Sequence, residues 1–249
     1  LPAGIELLSL GEEHSCAVAG PSRQLYCWGR GGAGQLGTGN LSNEPSPVSL
    51  SGYTEISGLA TGSVHTCVVR SNVVFCTGEN VDLQLGRTGG RQRFLVANGV
   101  LNAWSLTAGG EFTCTGTSID GVYGQGDELS CWGRNDTNQL GRGGAGQPEL
   151  PGAVLFLSSV RNLRAGKLHA CALLRGGQVR CWGNNEHGKL GNGTETDQST
   201  PSITIGLQNI REISAGADHT CARLEDQSVS CWGANSAGQL GTGNNEPSS

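Results

Sequence analysis

Ten cysteines are the residues of this sequence whose number and spacing most clearly indicate chemistry. They fall into five pairs, and in four pairs a histidine stands two positions before the first cysteine. The pairs are Cys16 and Cys27, Cys67 and Cys76, Cys114 and Cys131, Cys171 and Cys181, and Cys221 and Cys231. Paired thiols form disulfides in an oxidising compartment, and thiolates with imidazoles bind zinc, so the pattern admits either chemistry.

A β-hairpin around each pair favours the disulfide. Residues equidistant from Gly176 face each other on adjacent strands, which places Cys171 directly opposite Cys181. Opposed residues have Cα atoms ~4.5–5.5 Å apart, within the range that a disulfide tolerates. Cys67 and Cys76 come to lie opposite each other in the same way if Ser71–Asn72 form a two-residue turn, and Cys114 and Cys131 do so if Gly116–Gly126 form a longer loop. We therefore predict five bridges, each inside one hairpin.

Zinc is the weaker interpretation. The third copy has Phe112 in place of the histidine and still keeps both cysteines. A histidine with two cysteines would also lack the fourth ligand of a closed structural zinc site. We expect no metal and no cofactor.

Two further residue types recur with the cysteines. The repeated histidines are His14, His65, His169 and His219, and the repeated tryptophans are Trp28, Trp132, Trp182 and Trp232, with Thr77 in the second copy. A catalytic residue is needed once, so four copies indicate structure: buried histidines with hydrogen-bond partners and tryptophans that pack between repeats. His187 lies outside this pattern in a loop and is the one histidine that we keep as a functional candidate.

The elements that position these residues repeat about every 50 residues, a period typical of propellers and solenoids. Each copy holds about four short strands: a leading strand, the hairpin, and an outer strand in a Pro-containing connector such as Glu44–Leu50. We predict an all-β fold, a β-propeller with five four-stranded blades in one domain, residues 1–249. The approximate repeats are 1–50, 51–100, 101–155, 156–205 and 206–249. There are five hairpins but only four connector strands.

Composition and charge limit the function. The net charge is −5 and the basic residues are scattered, which disfavours nucleic-acid binding. No apolar run is long enough to span a membrane, and the N-terminus resembles no signal peptide, so we expect a portion of a longer protein. Three sequons, at Asn40, Asn135 and Asn192, predict glycosylation and passage through the secretory pathway. We expect an extracellular or cell-surface location.

Motifs for catalysis are missing from the sequence. It contains no nucleophile elbow, phosphate-binding loop, dinucleotide fingerprint or zinc-protease helix. Its carboxylates are scattered, and no acid pair stands out. We expect that the protein is not an enzyme.

The repeat resembles a known family. The pattern Gly-x-x-His-x-Cys-Ala…Cys-Trp-Gly-x-Asn-x-x-Gly-Gln-Leu-Gly, strongest at Gly166–Gly191 and Gly216–Gly243, is similar to the regulator-of-chromosome-condensation repeat. That resemblance implies a β-propeller, usually of seven blades, so the five copies are either a five-bladed ring or part of a seven-bladed one. The paired cysteines are more like those of extracellular variants, such as the ectodomains of crinkly-type receptor kinases.

These observations together predict a non-enzymatic interaction or structural module of a larger secreted or cell-surface glycoprotein, with another extracellular protein or a polysaccharide as its partner. The expected binding surface consists of loops on one face, including Arg87–Phe94 and Gly141–Pro151. The alternatives are a ligand-binding receptor ectodomain, a repeated module of an extracellular assembly, and a propeller enzyme that uses the central channel. An intracellular exchange factor comes last.

Overall fold

The computed structural model describes residues 1–89, 93–118 and 128–249. Its strands form five antiparallel sheets, one in each sequence repeat, arranged as the five blades of a β-propeller. Four sheets have four strands and the last has three. The described residues include no helix that is long and apolar enough to cross a membrane. The all-β propeller prediction is confirmed.

The strands follow the chain order within each blade. Blade 1 contains β1 (Ile5–Leu10), β2 (His14–Ala19), β3 (Gln24–Gly29) and β4 (Glu44–Ser49). Blade 2 contains β5 (Ile56–Thr61), β6 (His65–Arg70), β7 (Val73–Gly78) and β8 (Leu95–Val96). Blade 3 contains β9 (Ala103–Ala108), β10 (Phe112–Thr117), β11 (Glu128–Asn135) and β12 (Gly146–Ala153). Blade 4 contains β13 (Val160–Ala165), β14 (His169–Leu174), β15 (Val179–Gly183) and β16 (Gln198–Ile203). Blade 5 contains β17 (Ile210–Ala215), β18 (His219–Leu224) and β19 (Val229–Gly233).

The hairpins have the register that the sequence predicts. Cys171 pairs with Cys181 across β14 and β15, and the equivalent cysteines pair in every other blade. Ser71 and Asn72 form the turn of blade 2 and have φ values of 48° and 61°. Positive φ at both central residues matches the right-handed twist of the flanking strands. In blade 3, Gly116 belongs to β10 rather than to the predicted loop, and residues 119–127 lie outside the described part.

The outer strands are the least regular part of each blade. β4 and β16 occupy the Pro-containing connectors as predicted, whereas the outer strand of blade 2 is two residues long. In blade 5, a single bridge between Gly233 and Ser248 takes the place of this strand. The segment Gly141–Pro151, expected to be an exposed loop, instead runs into β12. Arg142 holds it there by donating to the carbonyl oxygens of Cys131 and Leu150, at 2.5 and 2.9 Å.

The core lies between blades rather than inside them. The described residues form four clusters of buried side chains, and each cluster fills one seam, the name we give to the contact between two consecutive blades. Each cluster contains the cysteines of one blade and the leading strand of the next. The leading strands β1, β5, β9, β13 and β17 pack side by side around the axis. A chain poor in aromatic residues thus buries its apolar surface by stacking sheets face to face.

Glycine is required where the blades approach the axis. A Cβ at Gly62 would lie 2.6 Å from the carbonyl oxygen of Gly109, and one at Gly166 would lie 2.5 Å from that of Gly216. Each such position also abuts the histidine ring three residues later. The glycine three residues before His14, His65 and His169 therefore allows consecutive blades to approach closely.

Candidate functional site

The predicted disulfides are all formed. Each bridge joins the two cysteines of one hairpin, with Cα atoms 4.1 Å apart, and the described residues include no free cysteine. The bridges of blades 1 to 4 are fully buried in the seams. The bridge of blade 5, Cys221–Cys231, is partly exposed. The cysteines therefore serve both as cross-links and as core side chains.

Among the described residues, no group of three or more His, Cys, Asp or Glu side chains is placed to hold a metal ion.

Three of the four repeated histidines, His14, His65 and His169, link neighbouring blades, whereas His219 is only partly buried. The Nε2 atom of His65 lies 2.9 Å from Thr113 Oγ1 in the next blade, and Thr113 donates its hydroxyl hydrogen to the carbonyl oxygen of Gln84 at 3.0 Å. Because the threonine hydrogen is used in that bond, Nε2 carries the hydrogen of the imidazole and donates to the hydroxyl. His14 with Thr66 and His169 with Thr220 repeat the arrangement, at 2.8 and 2.9 Å.

Burial keeps these histidines neutral. Desolvation lowers the pKa of His14 to about 4 and the pKa values of His65 and His169 to about 3. A proton on Nδ1 would have no acceptor, since this atom has no hydrogen-bond partner in any of the three rings. The structural role predicted for the repeated histidines is confirmed for these three. They tie blades together and are not poised as general bases.

The seam between blades 3 and 4 is built differently. Phe112 occupies the histidine position and Ala170 the threonine position opposite, and both are fully buried in one cluster. An apolar pair thus replaces a hydrogen-bonded pair at the same place in the fold. Both partners differ together, which leaves no hydroxyl or imidazole unsatisfied.

Three of the four repeated tryptophans pack into the seams, as predicted, whereas Trp28 is partly exposed. Trp132, Trp182 and Trp232 donate their indole hydrogens to carbonyl oxygens of the preceding blade, at 2.9, 3.0 and 2.9 Å. The acceptors are Gln84, Gln139 and Lys189, the residues that precede the repeated Leu-Gly. In each of these three seams, one carbonyl oxygen therefore accepts a hydrogen bond from the tryptophan. In the blade 2–3 and blade 4–5 seams, the same oxygen also accepts a hydrogen bond from a threonine. We call this acceptor the hub carbonyl. It was not predicted from the sequence, although glutamine or lysine recurs at its position in all five copies.

The seam between blades 1 and 2 lacks a tryptophan. Thr77 stands there instead and donates to the carbonyl oxygen of Gly34 at 2.9 Å. Phe94, from the connector of blade 2, fills the space against Gly37 and is 5% exposed. The sequence had placed Phe94 at the end of the segment Arg87–Phe94, expected to be an exposed binding loop, and the burial of its ring in the seam corrects that expectation.

The three sequons lie in different environments. Asn40 is exposed, and Asn192 is partly buried. Asn135 is 1% exposed. Its Nδ2 donates to the carbonyl oxygen of Gly144 and to Glu149 Oε1 at 2.9 and 3.0 Å. Since Nδ2 is the atom that would carry the sugar, Asn135 does not fit the predicted acceptor role in the folded chain.

The loop asparagines explain this burial. Asn80, Asn135, Asn185 and Asn235 occupy one repeated position, and each accepts a hydrogen bond from the backbone N–H five residues later. Their Nδ2 atoms donate to carbonyl oxygens farther along the same loop. These residues close the loop behind the hairpin, a role that their recurrence at the blade period could have revealed.

The axial mouth, the shallow cavity where the leading strands end, has a volume of about 360 Å³ and receives one loop from each blade. Its charged side chains are Glu12 and Lys167, and much of its wall is glycine and alanine. Several backbone amides at the mouth already donate hydrogen bonds of 2.9–3.0 Å to carbonyl oxygens of the next blade. The pairs, donor first, are Ser63 and Gly110, Gly110 and Lys167, and Lys167 and Ala217. These donors are therefore not free to bind a ligand.

A buried lysine forms an ion pair outside the lining of this mouth. Lys189 is 1% exposed, and its Nζ donates to Asp218 Oδ1 and Asn184 Oδ1, both at 2.7 Å. Partial burial alone would raise the pKa of Asp218, but the hydrogen bond and charge of Lys189 outweigh it and lower that pKa. This pair links blades 4 and 5. His187 lies apart on an exposed 3-10 turn, with Nε2 3.8 Å from Glu186 Oε1.

Comparison with known proteins agrees with the repeat geometry. Two profiles described as Regulator of chromosome condensation (RCC1) repeat match the chain, one at residues 24–69 and 176–223 and the other at residues 160–189 and 210–239. Together they cover about half of the chain. The Ultraviolet-B receptor UVR8 of Arabidopsis thaliana is 29% identical over 188 residues, which are 71% of this chain and 40% of UVR8. The chain thus spans less than half the length of this relative.

Solved structures share the fold at low identity. Prp20p from Saccharomyces cerevisiae superimposes with a TM-score of 0.85 at 18% identity, over 98% of this chain and 61% of Prp20p. The ectodomain of the receptor kinase ACR4 from Arabidopsis thaliana superimposes with a TM-score of 0.54 at 20% identity, over 100% of this chain and 68% of the ectodomain. The matched repeats coincide with the hairpins and loops described above, and the chain therefore belongs to the RCC1 repeat family, in a form with one disulfide in every blade.

Proposed function

We propose that this chain is a non-enzymatic interaction module of a secreted or cell-surface protein. The observation that carries the proposal is the set of five disulfides, one in each blade. Disulfides persist in secreted proteins, whereas cytosolic and nuclear thiols are kept reduced. In the chain-entropy model, each of these short loops contributes roughly 2–3 kcal/mol to stability.

The location is tested by peptide mapping of natural material under non-reducing conditions, before and after treatment with a glycosidase. We expect five bridges within blades, a glycan on exposed Asn40 and none on buried Asn135. Free thiols together with an unmodified Asn40 would contradict the extracellular assignment.

The rim of the propeller, where the outer strands lie, is the surface that we propose for binding. The irregular connectors of blades 2 and 3 both reach it, although residues 90–92 lie outside the described part. The axial mouth is the less suitable surface, because its backbone donors are already bonded.

Site-specific photocrosslinking on the native cell or matrix surface tests this choice. A crosslinker at Ser49 on the rim should capture a partner, whereas one at the 74% exposed Val81 should not. Capture at neither position would refute an interaction role. Capture at Val81 alone would move the binding surface away from the rim.

A further inference from the structure

A groove with a volume of about 330 Å³ opens on the rim at the seam between blades 1 and 2. We call it the rim groove. Tyr53 and Arg93 line it, together with hydroxyl-bearing residues from blade 1 and the segment that follows it: Thr38, Ser49 and Ser51. Clefts of this size that combine an aromatic ring with a few polar groups are typical of small-ligand sites.

The aromatic wall of the groove is held in place by the seam itself. The rings of Tyr53 and Phe94 have centroids 4.8 Å apart and planes inclined by 45°. The hydroxyl of Tyr53 lies 3.4 Å from the carbonyl oxygen of Phe94, and Tyr53 is partly exposed. Phe94 fills the seam that lacks the repeated tryptophan, so the packing of Tyr53 against Phe94 is a feature of the blade 1–2 seam.

The charged side chain that lines the groove is cationic, Arg93, although the chain as a whole carries −5. Partial burial raises the pKa of Tyr53, and the two charges that oppose the shift are both cationic, Arg70 and Arg93. Arg70 is oriented by a 3.0 Å hydrogen bond from Nη1 to the carbonyl oxygen of Gly52. Arg93 is exposed at the groove. The guanidinium group of Arg93 lines the groove with the phenol of Tyr53, and this combination favours an anionic ligand.

We propose that the rim groove binds a carboxylated saccharide, a chain of uronate units, with Arg93 facing the carboxylate and Tyr53 lying against a sugar ring. Guanidinium groups match carboxylates through paired hydrogen bonds. The hydroxyls of Thr38, Ser49 and Ser51 supply donors and acceptors for sugar hydroxyls. This inference rests on the proposed interaction function and names its ligand class.

An acidic peptide is the less favoured anionic ligand. A peptide commonly binds a propeller rim by adding a strand to an exposed sheet edge. The edge strand here is β4, and it contains Pro45 and Pro47. Proline has no backbone N–H to donate to an added strand, so this edge is a poor template for peptide pairing.

Calorimetric titration of the oxidised chain with a galacturonate oligosaccharide tests the proposal. We expect binding that weakens as salt is added and that is lost with the fully methyl-esterified oligosaccharide, which has the same sugar rings without charge. Arg93→Gln should weaken binding about tenfold or more, the loss expected for one charge-assisted contact. Arg175→Gln, which removes an exposed arginine of blade 4, is the matched control and should bind like the unaltered chain.

The Tyr53→Phe variant separates the contribution of the aromatic ring to binding from that of the hydroxyl. It keeps the aromatic surface and should retain most of the affinity, whereas Tyr53→Ala should lose it. Circular dichroism and urea unfolding of each variant show whether the fold is intact.

Three results would overturn the inference: no binding of galacturonate, equal binding by the Arg93→Gln and Arg175→Gln variants, or equal affinity for a polyglutamate peptide. None of them bears on the disulfide map or on photocrosslinking at the rim. Failure of the saccharide assignment is therefore distinguishable from failure of the proposed function.

Discussion

The seam between blades 2 and 3 and the seam between blades 3 and 4 solve one packing problem with different chemistry. The first is closed by His65 and Thr113, bonded at 2.9 Å, and the second by the apolar pair Phe112 and Ala170. All four side chains are fully buried. The comparison shows that the seam requires matched partners rather than a particular pair of residues.

Matching matters because of the cost of a half-satisfied contact. A buried donor left without its acceptor costs about 1–3 kcal/mol, whereas replacement of both partners by apolar groups can be nearly neutral. The two seams also differ in their response to acid, since an imidazole can take up a proton and a phenyl ring cannot. Four experiments exploit these differences.

Acid should have the largest effect. The folded pKa values of His14, His65 and His169 lie below the ordinary value of 6.5, so the unfolded chain binds more protons below that pH. Stability from these groups is present above about pH 6.5 and is lost as the pH falls toward 3–4, by several kcal/mol in total. Urea unfolding at a series of pH values measures the loss.

The double variant His65→Phe with Thr113→Ala is the control for the acid effect. It gives the blade 2–3 seam the chemistry of the blade 3–4 seam, so its free energy of unfolding should depend less steeply on pH. Carboxylates contribute equally to both proteins and cancel in the comparison. An unchanged pH dependence would mean that His65 is not the group that resists protonation.

Truncation of the apolar seam should have the next largest effect. Phe112→Ala removes a fully buried ring and leaves a cavity, with an expected loss of about 3–5 kcal/mol. Chemical denaturation at neutral pH measures it. A loss below about 1 kcal/mol would show that the neighbouring blades collapse into the space.

Breaking only one partner of the polar seam should cost less. Thr113→Val removes the hydroxyl and leaves the Nε2–H of His65 without an acceptor, which costs about 1–3 kcal/mol. Adding His65→Phe should recover part of this loss, with a coupling energy of about 0.5–3 kcal/mol between the two positions. Strictly additive effects in this double-mutant cycle would contradict the proposed link.

The reverse conversion should give the smallest net change. Phe112→His alone places an unpaired imidazole in an apolar seam and should destabilise the chain. Adding Ala170→Thr should restore about 0.5–1.5 kcal/mol, the net contribution of one hydrogen bond. Equilibrium unfolding of both single variants and the double variant closes the cycle. No recovery would show that the hub carbonyl of Gln139, already bonded to Trp182 at 3.0 Å, has no room for a threonine.

Much of each blade could be predicted from its own residues. The strand alternation, the turn at Ser71–Asn72 and the cysteine register are local, because a hairpin brings together residues that are close in sequence. The disulfides followed from that register alone. Proline in the connectors likewise indicated edge strands such as β4.

The side-chain contacts between blades could be predicted only in part from the sequence. His14 meets Thr66 across 52 positions, and Trp132 meets the carbonyl of Gln84 across 48. The sequence indicated that these residues are structural, because they recur, but not what they contact. Only Phe112 was noted as an exception in the sequence; Ala170, which departs from the repeat in the next copy, could have indicated that the two positions are in contact.

The misplaced sequon illustrates the same limit. Asn135-Asp-Thr has the right residues for glycosylation, yet its amide closes a loop and is buried. Burial of one side chain depends on where the rest of the loop folds over it, which a three-residue motif does not contain.

By itself, the sequence determined the repeat, the hairpins, the disulfide pairs and the all-β class, because these depend on short-range spacing and on the fixed period of a strand. The tertiary structure alone decided which carbonyls became hubs, how Phe94 replaced a missing tryptophan and where Tyr53 and Arg93 formed a groove. The physical reason is that blades bury their apolar faces against each other, so seam contacts join residues about one repeat apart and are set by the stacking of sheets.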